Sequence, residues 1–155
     1  EAAACLALEC GSGAATLRGI AGGTDTLGLT HTDSAAVKRV MQAALSDAAA
    51  QPGQIRLVKT HGIGSAAADE AEAAALNALL PDTPRAALKP FISHTALLLS
   101  FLHQSALPPL PAAAAYAQTD APLAAHGLTL DSGLYLMNFF GFGGSNTSII
   151  LEHRA

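Results

Sequence analysis

The sequence has no tryptophan, 5% aromatic residues and 13% charged residues, although half of its 155 residues are hydrophobic. No apolar run approaches the roughly 18 residues that a membrane helix needs, so we expect no membrane-spanning role. The net charge of −4 gives no electrostatic basis for binding nucleic acid. The length predicts one domain with a substantial core, and the scarcity of charge suggests that something else covers part of its surface.

Cysteine is also scarce. Cys5 and Cys10 lie in or beside the first predicted strand, where their side chains point to opposite faces and cannot pair with each other. We therefore expect a reduced, cytoplasmic setting. The chain begins inside that strand, with neither Met nor a signal peptide, and is predicted to be a fragment of a longer protein.

Short β-branched or apolar runs bounded by turn residues predict strands. These runs are Ala2–Glu9, Ala15–Ala21, Ile55–Lys59, Ala86–Lys89, Leu134–Phe140 and Thr147–Glu152. The first two are expected to form a hairpin through Gly11-Ser12-Gly13, and Gly22-Gly23 is expected to end the second.

Apolar spacing predicts helices at residues 33–48, 69–80 and 93–106. The first is capped by Asp33 or Ser34 and stops before Pro52. Asp69 and Glu72 are spaced like a capping box at the start of the second. The third has no charged residue, which predicts burial. Strands alternating with helices and ending in a hairpin predict one layered α/β unit with a mixed sheet.

Three motifs carry candidate chemistry. A His-Gly-Ile-Gly-Ser turn, residues 61–65, follows a strand, and the carboxyl edge of a sheet is the usual mouth of an α/β active site. Lys89–His94 brings a second histidine onto a helix start, and Asn138–Asn146 is a glycine-rich loop between strands. That loop opens no helix, so it is not a dinucleotide fingerprint. His61, Asp69 and His94 match no zinc spacing, and no metal site is predicted.

Together these motifs resemble the C-terminal half of a β-ketoacyl synthase, the condensing enzyme of fatty acid and polyketide assembly. The family's His-Gly-Thr-Gly-Thr turn with its downstream acids matches residues 61–72, its Lys-x-x-x-x-Gly-His matches Lys89–His94, and its Asn-x-Phe-Gly-Phe-Gly-Gly-Thr-Asn matches Asn138–Asn146. The resemblance implies a thiolase-like α/β fold, with residues 1–155 as the C-terminal domain. The N-terminal half, which carries the family's cysteine nucleophile, is absent.

The family's reaction is the decarboxylative condensation of a malonyl thioester with an acyl-cysteine. By resemblance, His61 and His94 donate hydrogen bonds to the thioester oxygen, and Lys89 keeps both rings neutral. Substrate-binding positions carried over are Ser65, Phe140, Phe142, Gly143 and Asn146, with Asp69 and Glu72 as structural residues near the site. No cofactor is expected, because the substrates are carried on the phosphopantetheine of an acyl carrier protein. Implied partners are that carrier, the N-terminal half, and a second ketosynthase subunit in a homo- or heterodimer.

Several positions depart from the family pattern. Ile63 replaces a threonine that contacts the pantetheine arm, Ser93 replaces a glycine, and Leu97–Leu99 replace small residues. The helix after His94 also lacks a carboxylate. These departures leave open a non-catalytic alternative, a chain-length-factor type of subunit that shapes the acyl pocket of an active ketosynthase. The remaining histidines show no partners that distinguish them from surface residues; they are His31, His103, His126 and His153.

Overall fold

The computed structural model describes residues 8–11, 13–87 and 129–154. The helices within these ranges are α1 (Ser34–Asp47) and α2 (Ala66–Leu79), with a 3₁₀ turn at Pro52–Gln54. The strands are β1 (Ala15–Thr24), β2 (Ile55–Lys59), β3 (Arg85–Ala86), β4 (Gly133–Gly141) and β5 (Ser145–His153).

The strands form one five-stranded sheet in the order β1-β5-β4-β2-β3. Strand β2 runs parallel to β3 and β4, whereas β5 runs antiparallel to both β4 and β1. The predicted mixed sheet is therefore confirmed. Because β4 and β5 form a hairpin beside β2, the glycine-rich turn lies at the same sheet edge as the carboxyl end of β2.

One core joins both helices to one face of the sheet. Val37 and Met41 of α1 and Leu76 of α2 pack with Val58 of β2 and Leu136 of β4, all fully buried. The predicted apolar face of α1 is confirmed, and so is its cap, since Asp33 Oδ1 accepts a hydrogen bond of 2.9 Å from the Ala35 N–H. Apolar periodicity thus fixes which face of each helix meets the sheet.

Strand β1 continues through the two glycines that were expected to end it. Glycine is required along this strand because α1 crosses it closely. A Cβ on Gly19 would lie 2.6 Å from Ala44 O, and one on Gly23 would lie 2.8 Å from Val40 Cγ2. At the outer edge of the strand, Asp47 of α1 accepts a hydrogen bond of 2.9 Å from the Ile20 N–H and so satisfies one donor that no neighbouring strand pairs.

Other predicted elements have mixed outcomes. The predicted bounds of β2 are confirmed, and β4 and β5 each extend slightly beyond prediction. Helix α2 begins at Ala66 rather than Asp69, and β3 at Arg85 rather than Ala86. Residues 8 and 9 are not in a strand, and the rest of the first predicted strand lies outside the described residues. The described residues also exclude Lys89, His94 and the predicted helix at 93–106. No helix in the described ranges is long and apolar enough to cross a membrane.

Candidate active site

The turn after β2 is held by two buried carboxylates. Glu72 accepts hydrogen bonds from the backbone N–H groups of His61 (2.8 Å) and Gly62 (3.1 Å), one on each oxygen. Asp69 accepts from the next two, Ile63 and Gly64, at 3.0 Å each. Four consecutive N–H groups therefore point at two acids that are 1% and 3% exposed. Hydrogen bonds to a charged acceptor contribute about 1.5–3 kcal/mol each, so this arrangement fixes the backbone that carries His61.

The predicted capping box is wrong, because both acids accept hydrogen bonds from the turn that precedes the helix. Asp69 lies one turn inside α2, and its own N–H bonds to Ser65 O at 2.9 Å. Ser65 is the N-cap, and its side chain makes no capping hydrogen bond. Both acids reach past the helix start to the preceding turn, because its N–H groups converge on the α2 side. Spacing along the chain could not distinguish these two uses of the same acids.

Glu72 also connects the turn to the sheet. Its Oε1 accepts a third hydrogen bond, of 2.9 Å, from Asn138 Nδ2 on β4, and Asn138 Oδ1 accepts one of 2.7 Å from Ser148 Oγ on β5. All three side chains are buried. This chain of polar groups ties the His61 turn to both strands of the hairpin. Asn138 had no role in the sequence prediction, although an amide in an otherwise apolar strand is the signal that could have found it.

The ring of His61 is oriented by the glycine-rich hairpin. The Phe140 N–H donates to His61 Nδ1 at 3.0 Å, and the two rings lie 4.9 Å apart between centroids, tilted by 40°. Because Nδ1 accepts this hydrogen bond, the neutral ring carries its hydrogen on Nε2. His61 is 5% exposed, so its Nε2–H is a donor in a largely dry environment.

The glycine-rich turn is held from its other side by Asp25, in the segment between β1 and α1. Asn146 Nδ2 donates to Asp25 Oδ2 and to Gly144 O, each at 3.1 Å, and the Asp25 N–H donates to Gly144 O at 2.9 Å. Gly144 has φ +78°, and a Cβ there would clash with the Asp25 carbonyl. The Gly143 N–H also donates a hydrogen bond of 2.9 Å to Leu29 O, in the same segment as Asp25.

Asp25 is ionised in this arrangement. Burial raises the pKa of its carboxyl group, but hydrogen bonds from Asn146 and from the backbone of Asp33 and Leu27 outweigh burial and hold the pKa below its usual 3.8. The sequence analysis gave Asp25 no role. Its partners in the hairpin, Asn146 and Gly144, are distant in the chain, so no local pattern connects it with the glycine-rich turn.

These segments enclose a cleft of about 550 Å³. One wall is the His61 turn with the start of α2, a second is the segment from Leu29 to Thr32, and the third is the hairpin turn. The volume lies in the range of small-molecule sites. The lining residues are Leu29, Thr30, His31, Thr32, His61, Ile63, Ser65, Ala68, Phe140, Gly141 and Phe142.

The cleft brings together four of the predicted site residues: His61, Ser65, Phe140 and Phe142. Gly143, in the hairpin turn, and Asn146, on β5, do not line the cleft. Lys89 and His94 lie outside the described residues, so the convergence of two histidines stays a prediction. His31, which the sequence did not distinguish from surface residues, lines the same cleft. Within the described ranges, no three His, Cys, Asp or Glu side chains are grouped as metal ligands.

Comparison with solved structures defines the class of fold. One chain of a ketosynthase in complex with its chain length factor, from Xenorhabdus doucetiae, matches with a TM-score of 0.81 and 23% identity, over 92% of this chain and 40% of that one. A β-ketoacyl synthase from Burkholderia phymatum matches with a TM-score of 0.77 and 24% identity, over 91% and 38% respectively. The fold is therefore the C-terminal half of a thiolase-like fold, as predicted.

The family follows from the sequence itself. Residues 14–97 match the family model of the beta-ketoacyl synthase C-terminal domain, more than half of the 155 residues. The chain belongs to the β-ketoacyl synthase family, and the predicted family is confirmed. It spans about two fifths of the length of the solved chains that it resembles. A search of curated proteins found no significant match.

Proposed function

We propose that this chain is the C-terminal half of a β-ketoacyl synthase that condenses a malonyl thioester with an acyl group held on a cysteine. Residues 1–155 form one ketosynthase domain in this proposal, and an N-terminal half supplies the nucleophile. The single observation that carries it is the hydrogen bond from the Phe140 N–H to His61 Nδ1. That contact gives a buried imidazole an Nε2–H donor, which is what the developing oxyanion requires.

In the proposed reaction, the bond between the malonyl α-carbon and its carboxylate breaks and CO₂ leaves. The electron pair moves onto the thioester oxygen, forming an enolate, and the Nε2–H of His61 stabilises that charge. The enolate carbon then attacks the acyl-cysteine carbonyl, and the cysteine thiolate departs. His94 is proposed as the second donor to the same oxygen, and Lys89 as the positive charge that disfavours protonation of both rings.

The remaining assignments belong to the same proposal. Ser65 and Phe142 contact the substrate from two walls of the cleft, with Phe140 supporting the ring of His61. Gly143 in the turn and Asn146 on β5 support the third wall from behind. Partners proposed are an acyl carrier protein and a second ketosynthase subunit. A relative solved as an acyl carrier protein in complex with its ketosynthase, at 20% identity, supports that kind of partner. The reaction requires no cofactor, and the proposed location is the cytoplasm.

A non-catalytic subunit of the chain-length-factor type is the second candidate. The observation that favours it is Ile63, an apolar residue that lines the cleft where the family has a hydroxyl. The matched Xenorhabdus complex contains such a factor. The oriented ring of His61 favours the catalytic alternative, because a subunit that only shapes a pocket needs no such donor.

The test uses the full-length protein with its N-terminal half. His61→Ala should abolish decarboxylation of malonyl-carrier substrate, with His153→Ala as a control for a buried histidine that lies outside the cleft. Nitrogen-15 spectra should show His61 as the neutral Nε2–H tautomer. An unchanged decarboxylation rate in His61→Ala, or a ring protonated on Nδ1, would reject the catalytic proposal.

A further inference from the structure

Lys59, the last residue of β2, is a buried cation that the proposed reaction does not use. Its side chain is 2% exposed, and its Nζ lies 4.7 Å from the centroid of the Phe139 ring on β4. A buried ammonium group is costly unless its surroundings compensate the charge, and the face of an aromatic ring provides part of that compensation. The contact joins the strand that leads into the His61 turn to the first strand of the glycine-rich hairpin.

This contact lies where the backbone pairing between β2 and β4 stops. The last pair in their register is Lys59 with Met137, although β4 continues to Gly141. Paired residues lie on the same face of a sheet, and so do residues two apart along a strand, which places Lys59, Met137 and Phe139 on one face. Beyond this pair, contacts that involve side chains connect β4 to the turn that follows β2.

Three consecutive residues of β4 make such contacts. Asn138 donates to the acid that holds the backbone of the turn, and the Phe140 N–H donates to His61 Nδ1 at 3.0 Å. The Phe140 ring packs against the core beneath the helices, whereas the Phe139 ring lies on the opposite face of the sheet, where it meets Lys59. The end of β4 is therefore fixed from both faces, by the turn on one and by the lysine on the other.

We propose that Lys59 is a positioning residue: its contact with the Phe139 ring holds the end of β4 in the place that the bond to His61 requires. Without the contact, residue 139 is less restrained, and the N–H of the next residue moves with it. The imidazole then loses the hydrogen bond that keeps its own hydrogen on Nε2. This inference rests on the proposed function for the reaction that misalignment would slow, whereas the orientation of the ring does not depend on that reaction.

The test compares the full-length wild type with Lys59→Met, Lys59→Arg, Phe139→Leu and the double variant Lys59→Met/Phe139→Leu. Methionine removes the charge, whereas arginine keeps a cation that stacks on an aromatic ring. Hydrogen exchange of the Phe140 N–H is measured in the resting protein. Lys59→Met and Phe139→Leu should each speed exchange about tenfold, the order of effect of a desolvated cation–π contact, and Lys59→Arg should keep the wild-type rate. The double variant should exchange no faster than either single variant, because both changes remove the same contact.

Two controls separate positioning from general loosening. The Leu136 N–H, on the same strand, should exchange as in wild type, and Lys38→Met, which removes a lysine of α1, should change neither amide. Unchanged exchange in Lys59→Met, faster exchange in Lys59→Arg, or additive effects in the double variant would overturn the inference. If Lys59→Met does not fold, Phe139→Leu and Lys59→Arg decide the question in the same way.

Decarboxylation of a malonyl-carrier substrate by the same variants links the exchange rates to the reaction. In Lys59→Met, kcat should fall about tenfold with KM unchanged, because His61 acts on the charge that develops in the transition state. A protein that lacks turnover but shows the coupled exchange would reject the proposed function and retain the positioning role. Turnover with unchanged exchange would do the reverse, so the two failures are distinguishable.

Discussion

Replacing Glu72 with glutamine is the sharpest perturbation of the site, because it removes the charge and turns one acceptor oxygen into an NH₂ donor while the side-chain volume hardly changes. Glu72 accepts three hydrogen bonds, from the N–H groups of His61 and Gly62 and from Asn138. Both oxygens of Glu72 face N–H groups, so a glutamine must place its NH₂ group against at least one of these donors. If the amide oxygen takes the Oε1 position, the NH₂ faces the Gly62 N–H. In the flipped orientation it faces two donors.

The number of mismatched donors sets the expected loss in the free energy of unfolding. One buried N–H group loses its acceptor and meets another donor, which costs about 1–3 kcal/mol in the free energy of unfolding. Because Glu72 is 1% exposed, no solvent replaces the lost partner. The displaced turn also carries His61, and a shift of about 1 Å in a positioned group lowers a rate by about 100-fold. Urea denaturation measures the first effect, and decarboxylation by the full-length protein measures the second.

The matched control is Glu70→Gln, an exposed glutamate on the same helix with the same change in charge. It should alter the unfolding free energy by no more than about 0.5 kcal/mol. Should Glu72→Gln be as stable as Glu70→Gln, the reasoning that the carboxylate orders the turn through accepted hydrogen bonds would be refuted. Loss of turnover with unchanged stability would instead assign Glu72 a role in the chemistry.

Two further predictions concern the segments around the site. Because hydrogen bonds hold the pKa of Asp25 below 3.8, the stability it contributes is fully present above that pH and is lost as pH falls through the lower folded-state value. The free-energy difference between wild type and Asp25→Asn in urea should therefore shrink in acid, and a constant difference would contradict it. Gly19→Ala should cost about 1–3 kcal/mol, since its Cβ would lie 2.6 Å from Ala44 O. Gly22→Ala, whose Cβ would meet no atom closer than 3.8 Å, is the control, and equal losses would exclude the clash as the cause.

Much of the fold could be predicted because its signals are local. The apolar face of α1 repeats at three-and-four spacing, Asp33 caps it, and the run Ile55–Lys59 is bounded by turn residues on both sides. The course of β1 through Gly22 and Gly23 could not be predicted. Two glycines normally weaken a strand, and only the close approach of Val40 on α1 explains why a small residue is needed at Gly23.

The parts of the site that lie in sequence motifs could be predicted. The parts that depend on contacts between distant segments could not. His61 and the hairpin turn were found from their motifs. Asp25 was missed because its partner in the hairpin is far away in sequence: the bond from Asn146 to Asp25 spans 121 residues. The acids of α2 were found but given the wrong partners, since residues spaced to cap a helix can equally reach back over its start.

The hairpin, whose turn forms one wall of the cleft, also positions the other two walls. On the strand leading into its turn, the Phe140 N–H orients the ring of His61, and Asn138 bonds to the acid that holds the His61 backbone. On the strand leading out, Asn146 holds Asp25, and with it the segment that carries His31. A change in the hairpin therefore alters the two walls together, whereas a change in Glu72 alters only the His61 wall. The two asparagines that bound the glycine-rich motif therefore have different roles in this chain: Asn138 secures the wall that carries His61, and Asn146 secures the segment between β1 and α1.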